Sequence, residues 1–193
     1  MSDILQPKPQ DRSSPFPMNV RGRLWAGLGM IAVTLALLAA IGRPVTCPCG
    51  IVRLWQTGAN PAENSQQFAD WYSLLHIAFG IGLAAFVRWM RPAWSLGAMF
   101  LCVIFGHSIW EAMENTPAIV ALFSSSPNAE HYAGDSLLNS LGDTLFALGG
   151  AATFPRLSRT GLIIILAAIE TAVTLGVGDG FIVGTLRLLG VDI

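Results

Sequence analysis

Charge is what this chain has least of. Only 12% of its 193 residues are Asp, Glu, Lys or Arg, against about 25% in an ordinary soluble domain. The formal net charge is -1 and the chain carries no basic patch, so its composition points neither to nucleic acid nor to an acidic partner. Three cysteines are too few for a disulfide scaffold. There is no glycine-rich phosphate loop, no G-x-S-x-G nucleophile elbow, and no H-E-x-x-H or comparable zinc signature. A divalent metal therefore has no motif behind it and rests on residue types alone.

What the chain has instead is apolar length. Hydrophobic residues make up 53% of it. Five apolar runs, at about 24–41, 71–89, 94–113, 136–154 and 161–177, each suffice for a bilayer core at about 1.5 Å per residue. The expected fold is all-α, a polytopic membrane bundle of about five helices forming one domain over 21–193. Residues 1–20 hold Pro7, Pro9, Pro15 and Pro17 among polar residues and read as a disordered tail. The first run follows Arg21 and Arg23 and is long for a signal-peptide core, so it is expected to stay as an uncleaved anchor. Phe181–Leu189 is too short to span and reads as interfacial or partly re-entrant.

Basic residues orient the stack. Lys8, Arg12, Arg21 and Arg23 precede the first run, Arg88 and Arg91 follow the second, and Arg156 and Arg159 follow the fourth. The connection from Glu114 to Asp135 has neither Lys nor Arg. The positive-inside rule then predicts a cytoplasmic N-terminus and a C-terminus on the outer, periplasmic side.

Within these runs lie groups that lipid cannot satisfy. A charge at mid-bilayer costs roughly 2.5–3.5 kcal/mol on insertion scales and usually faces the protein interior. In the five-span topology His76, His107, Glu111, Asn139, Asp143 and Glu170 all fall beneath the outer face, with Asp70, Glu114, Asn115 and Asp135 at its mouth. His107, Glu111, Glu114 and Asn115 recur at intervals of three and four, as do Asp135, Asn139 and Asp143, giving a polar stripe on each of two helices. Two such stripes must face each other or a wet cavity. Glu111, Asp143, His76, His107 and Glu170 are the candidate catalytic residues. Asp70, Trp71, Glu114, Asn115, Asp135 and Asn139 are candidates for substrate binding.

Each group also has a plainer reading. Asn139, Ser140 and Ser108 read as interhelical hydrogen-bond partners, Glu114 and Asp135 as solvated helix ends, and His76 alone as a packing histidine. Buried carboxylates are harder to dismiss, since each needs a proton, a cation or a metal. Cys47-Pro48-Cys49 lies just outside the first run and is the candidate redox pair, free to be disulfide-bonded, metal-bound or catalytic. Cys102 reads as packing.

The ordered string Cys47-x-Cys49-Gly50, Leu54-Trp55, Glu63-Asn64-Ser65-Gln66, Asp70-Trp71-Tyr72 and His76 continues through Trp110-Glu111, Glu114-Asn115-Thr116-Pro117, Tyr132, Gly134-Asp135-Ser136, Asn139-Ser140, Asp143-Thr144, Glu170 and Asp179. It resembles a family of bacterial inner-membrane proteins, the domain-of-unknown-function 2585 group. The resemblance implies a multi-pass membrane protein and no particular activity. Gln67 and Phe79 stand where that pattern has histidines, and His107 stands where it has an acid. A fainter likeness is to VanZ-like membrane proteins, which implies a cell-envelope role. Three functions follow as expectations. The first is an enzyme acting on a lipid or lipid-linked envelope substrate. The second is a small proton- or cation-coupled transporter, and the third a structural or assembly protein. The bilayer is the one partner common to all three.

Overall fold

A computed structural model describes residues 18–56, 60, 63–124, 132–189 and 191. The tail expected over 1–20 lies almost wholly outside the described residues. The described residues form seven α-helices and no strand. They are α1 (Val20–Ala40), α2 (Ser73–Met90), α3 (Leu96–Glu114), α4 (Pro117–Ser124), α5 (Leu137–Thr153), α6 (Arg159–Val177) and α7 (Phe181–Leu188), with a 3-10 turn at Phe154–Arg156.

Local chemistry sets the helix ends. Asn19, Ser95, Ser136 and Ser158 each accept a hydrogen bond from a backbone N–H in the first turn of α1, α3, α5 and α6. Such caps satisfy donors that no intrahelical carbonyl can reach. α2 uses Asp70 instead, whose Oδ1 accepts from the N–H groups of Tyr72 at 2.8 Å and Ser73 at 3.3 Å. α6 ends at Gly178, which adopts φ +67°, a left-handed conformation that glycine enters without strain.

Four of these helices, α1, α2, α3 and α6, are long and apolar enough to cross a membrane. The fifth expected span, α5, is a 17-residue helix of more polar composition, and its surroundings explain this. It packs against α1, α2 and α3, and buries Asn139, Ser140, Asp143 and Thr144 there. The outer helices show the opposite pattern. Leu24, Trp25, Leu28 and Val33 of α1, and Ile163, Ile164 and Leu175 of α6, remain exposed, as lipid-facing surfaces require.

α2 and α5 meet backbone to backbone. The space a Cβ would take at Gly80 is filled by the Ala147 carbonyl, and that at Gly150 by the Ile77 carbonyl. Small residues let membrane helices approach this closely. The arrangement divides the bundle along its length. Ile81, Ala84, Val87, Met99, Val103, Ala151 and Phe154 fill one end with an apolar cluster. The polar side chains of α2, α3 and α5 gather at the other end, beside the connection from Cys47 to Asp70.

Candidate functional site

α2, α3 and α5 each bring a charged or imidazole group to one place. His76 lies one turn into α2, Glu111 one turn before the end of α3, and Asp143 about 9 Å into α5. His107 and Glu111, four residues apart, share one face of α3, with His107 Nε2 3.5 Å from Glu111 Oε1. His76 Nδ1 sits 2.8 Å from His107 Nε2, and His76 Nε2 sits 3.6 Å from Asp143 Oδ2. Thr144, next to Asp143, places its hydroxyl 3.3 Å from His107 Nδ1. The result is one connected group, Asp143–His76–His107–Glu111. Phe79 stands edge-on to the His107 ring at 5.5 Å.

Burial is nearly complete but uneven. His107 and Glu111 are 0% exposed, while His76 keeps 8% and Asp143 4%. Any approach from outside is therefore by way of the His76–Asp143 side. The oxygens of Glu111, Oδ1 of Asp143 and Oδ1 of Asn139 are buried without a hydrogen bond of normal geometry, although the Ser140 hydroxyl lies beside Glu111 and the Ser73 hydroxyl beside Asp143. An orphaned polar atom costs about 1–3 kcal/mol, and more when charged, so four in one region mark a place built for something else.

A second polar layer lies above the first, and many of its groups bond to one another. Asn115 Nδ2 donates to Asp135 Oδ2 at 2.6 Å, and the Asp135 N–H donates to Asn115 Oδ1 at 2.8 Å. The Tyr132 hydroxyl donates to Asp135 Oδ1 at 3.0 Å. Arg43 clamps the same joint, donating to the Asn115 carbonyl at 2.7 Å and to the Ala133 carbonyl. The connection is stitched to the start of α5 by Ser136 Oγ donating to the Gln66 carbonyl, Asn139 Nδ2 donating to the Gln67 carbonyl, and Gln66 Nε2 donating to the Gly134 carbonyl. Asp70 completes this layer, with Oδ2 accepting from the Ser65 N–H at 3.0 Å. Burial pushes the Asp70 carboxyl up, against the backbone donors of Ser65, Ser73 and Tyr72.

Burial also drives the Asp135 carboxyl up to about 6, although hydrogen bonds from Asn115 and Tyr132 pull the other way. The fold thus holds that proton more tightly than an unfolded chain, where the ordinary value is 3.8. Between these values the native state carries the extra proton, so stability falls as pH rises through this window and levels off above about 6. Asp135→Asn removes this term. Its thermal midpoint in detergent, compared with wild type, is expected to be relatively higher at neutral pH than near pH ~4.

Other sequence-predicted residues fall elsewhere. Glu170 does not join the group: its carboxylate accepts from the N–H groups of Phe181 at 3.0 Å and Ile182 at 2.8 Å, capping α7. Trp71 packs outward, edge-on to Trp55 at 5.9 Å and against Gly176 of α6, where a Cβ would lie 2.6 Å from its ring. Glu114 is half-buried at the end of α3. Cys47 and Cys49 are joined as a disulfide in the connection, with Cys47 buried, while Cys102 is a free thiol on α3. Sequence reasoning gave no role to Thr144, Arg43, Gln67 or Tyr132. Thr144 carried a usable signal, since it lies four residues after Ser140 on a polar face of α5.

The family model described as "Protein of unknown function (DUF2585)" matches residues 38–191, a stretch that holds every residue of both polar layers. The chain belongs to this family. It is 32% identical over 178 residues to a UPF0314 protein of Paracoccus denitrificans, covering 92% of this chain and 88% of that one. It is 40% identical over 139 residues to a UPF0314 protein of Novosphingobium aromaticivorans, covering 67% of this chain and 68% of that one. Similarity to a UPF0314 protein of Sphingopyxis alaskensis is 40% over 121 residues, 63% of this chain and 64% of the relative. The chain thus spans just under two thirds of that relative's length. No solved structure matches.

Proposed function

We propose that this DUF2585 protein is an enzyme of the bacterial inner membrane that acts on a lipid or lipid-linked head group from the periplasmic side. The single observation that carries the reading is the Asp143–His76–His107–Glu111 group, gathered from three helices at one end of an apolar bundle. Membrane helices tolerate such groups where they serve a pathway or a reaction. Its position suits a head group better than a through-route. Beyond it the bundle closes into the apolar cluster of Ile81, Ala84, Val103 and Ala151, which offers an ion no polar step toward the opposite face.

The residues have distinct roles in this reading. Asp143, which keeps some exposure, meets the substrate, takes a proton from the attacking water or hydroxyl and later returns it to the leaving group. Glu111 lies behind it with His107 and His76, and these three hold the buried side of the site. Asn115, Asp135 and Arg43 hold the helix ends that frame the site. The basic residues flanking the helices support a periplasmic position for that end of the bundle.

Lipid extracts of a deletion strain, complemented with wild type or Glu111→Gln at matched membrane levels, test the proposal. One head-group species is expected to accumulate in the deletion and in the Glu111→Gln strain, and to be cleared by wild type. Clearance by Glu111→Gln equal to wild type would overturn the reading. So would protonophore-sensitive solute flux through wild-type proteoliposomes, which would make the protein a transporter.

A further inference from the structure

We propose that His76, His107 and Glu111 form a three-ligand site for a divalent transition-metal ion of the zinc type. The inference deepens the enzymatic reading above, yet it stands on the geometry of the three side chains. One donor atom from each lies within 4.8 Å of the other two, and all three residues are buried.

Donor and acceptor accounting leads to the ion. Thr144 Oγ1 donates its only proton to the Ser140 carbonyl at 2.8 Å, so toward His107 Nδ1 it can only accept. That places the His107 proton on Nδ1 and leaves a bare lone pair on Nε2. At the other ring, Asp143 Oδ2 faces His76 Nε2 and favours the proton there, leaving a lone pair on His76 Nδ1. The two lone pairs then point at one another across 2.8 Å, and Glu111 Oε1 adds a third at 3.5 Å from His107 Nε2. Three converging acceptors require a cation. A proton shared by the imidazoles would answer two of them; the Ser140 hydroxyl can serve one Glu111 oxygen, and the other still faces the His107 lone pair. A divalent ion answers all three.

The arrangement has the other marks of such a site. Two imidazoles and one glutamate are a donor set of catalytic zinc, which keeps its remaining position for water or substrate. Each ligand histidine has an oxygen partner at its second nitrogen, Asp143 for His76 and Thr144 for His107, and such partners orient ligands and tune them. Zn–N distances of about 2.0–2.1 Å in a tetrahedral site put two nitrogens roughly 3.3 Å apart, so the imidazoles need separate by only about half an ångström. Asp143, whose Oδ2 lies 3.6 Å from His76 Nε2, would be the proton acceptor beside water activated by such an ion.

The test uses full-length protein in nanodiscs, purified without a metal-chelating resin, with metals counted by elemental mass spectrometry. Wild type, as isolated or after stripping and incubation with Zn²⁺, is expected to hold a single ion per chain and to unfold at higher temperature with it. Stripped wild type incubated with Co²⁺ should show the visible absorption of a four- or five-coordinate nitrogen and oxygen site. Glu111→Gln and His107→Ala should lose the ion. Thr144→Val should keep the fold and bind Zn²⁺ about 10–100-fold more weakly. Cys102→Ala should bind as wild type does. Folded wild type that takes up neither Zn²⁺ nor Co²⁺ overturns the proposal, and so does undiminished binding by Glu111→Gln. If that variant fails to fold, the cobalt spectrum of wild type and the Thr144→Val affinity decide. Metal binding with an unchanged lipid profile in the deletion strain would sink the lipid-directed reading and leave the metal site standing.

Discussion

Asp143→Asn is expected to reduce turnover of the proposed lipid or lipid-linked substrate by about 10²–10⁴-fold, the usual range for loss of a positioned proton acceptor. Asparagine matches aspartate in shape but cannot take up a proton at neutral pH. The side chain is nearly buried, with Oδ2 against His76 and the Ser73 hydroxyl beside the carboxylate. Swapping the carboxylate for an amide thus alters chemistry more than packing, and the thermal midpoint should stay close to that of wild type. A purely structural Asp143 would give the reverse pattern: a lowered midpoint, with activity per folded molecule unchanged. Turnover by purified protein and an unfolding curve on the same sample separate the two outcomes.

Gly80→Ala and Gly150→Ala are each expected to cost about 1–3 kcal/mol, the range for forcing extra atoms into a well-packed interface. At both positions the new methyl meets a carbonyl of the facing helix, Ala147 for Gly80 and Ile77 for Gly150. A backbone carbonyl cannot swing aside as a flexible side chain does, so α2 and α5 must part. That movement carries His76 away from Asp143, so activity should fall along with stability. The neighbouring glycines provide controls. A Cβ at Gly82 or Gly149 meets nothing within 4 Å, so Gly82→Ala and Gly149→Ala should be neutral or gain the roughly 0.5–1 kcal/mol alanine brings to a helix interior. Unfolding of the four variants in one detergent tests the contrast.

The helices were legible because apolar length is a strong signal. The expected run at about 94–113 is α3 over Leu96–Glu114, and the run at about 161–177 is α6 over Arg159–Val177. The His107–Glu111 pair was legible too, since four-residue spacing on a helix dictates a shared face. Glu170 shows where this kind of inference stops. Depth along the chain put it level with His76, but depth says nothing about direction around the axis, and α7 folds back to take its carboxylate as a cap. Asn115 and Asp135 failed to declare themselves for another reason. Twenty residues separate them, and nothing in either neighbourhood says that the two ends close on each other rather than on a ligand. The described parts of the Cys47–Asp70 connection were opaque, because they are held by hydrogen bonds among themselves, to Gly134 and Ser136, and to Asn139 of α5, and not by periodicity.

The central position of α5 has a consequence for how the protein is made. A helix carrying Asn139, Ser140, Asp143 and Thr144 partitions poorly into lipid alone, since an aspartate at mid-helix opposes translocon release by about 2.5–3.5 kcal/mol. α2 and α3 leave the ribosome earlier and must wait with His76, His107 and Glu111 uncovered until it arrives. Biogenesis of this bundle therefore depends on late capture of its least greasy segment by helices already inserted. A nascent chain halted before Leu137 would be a ready target for membrane quality-control proteases.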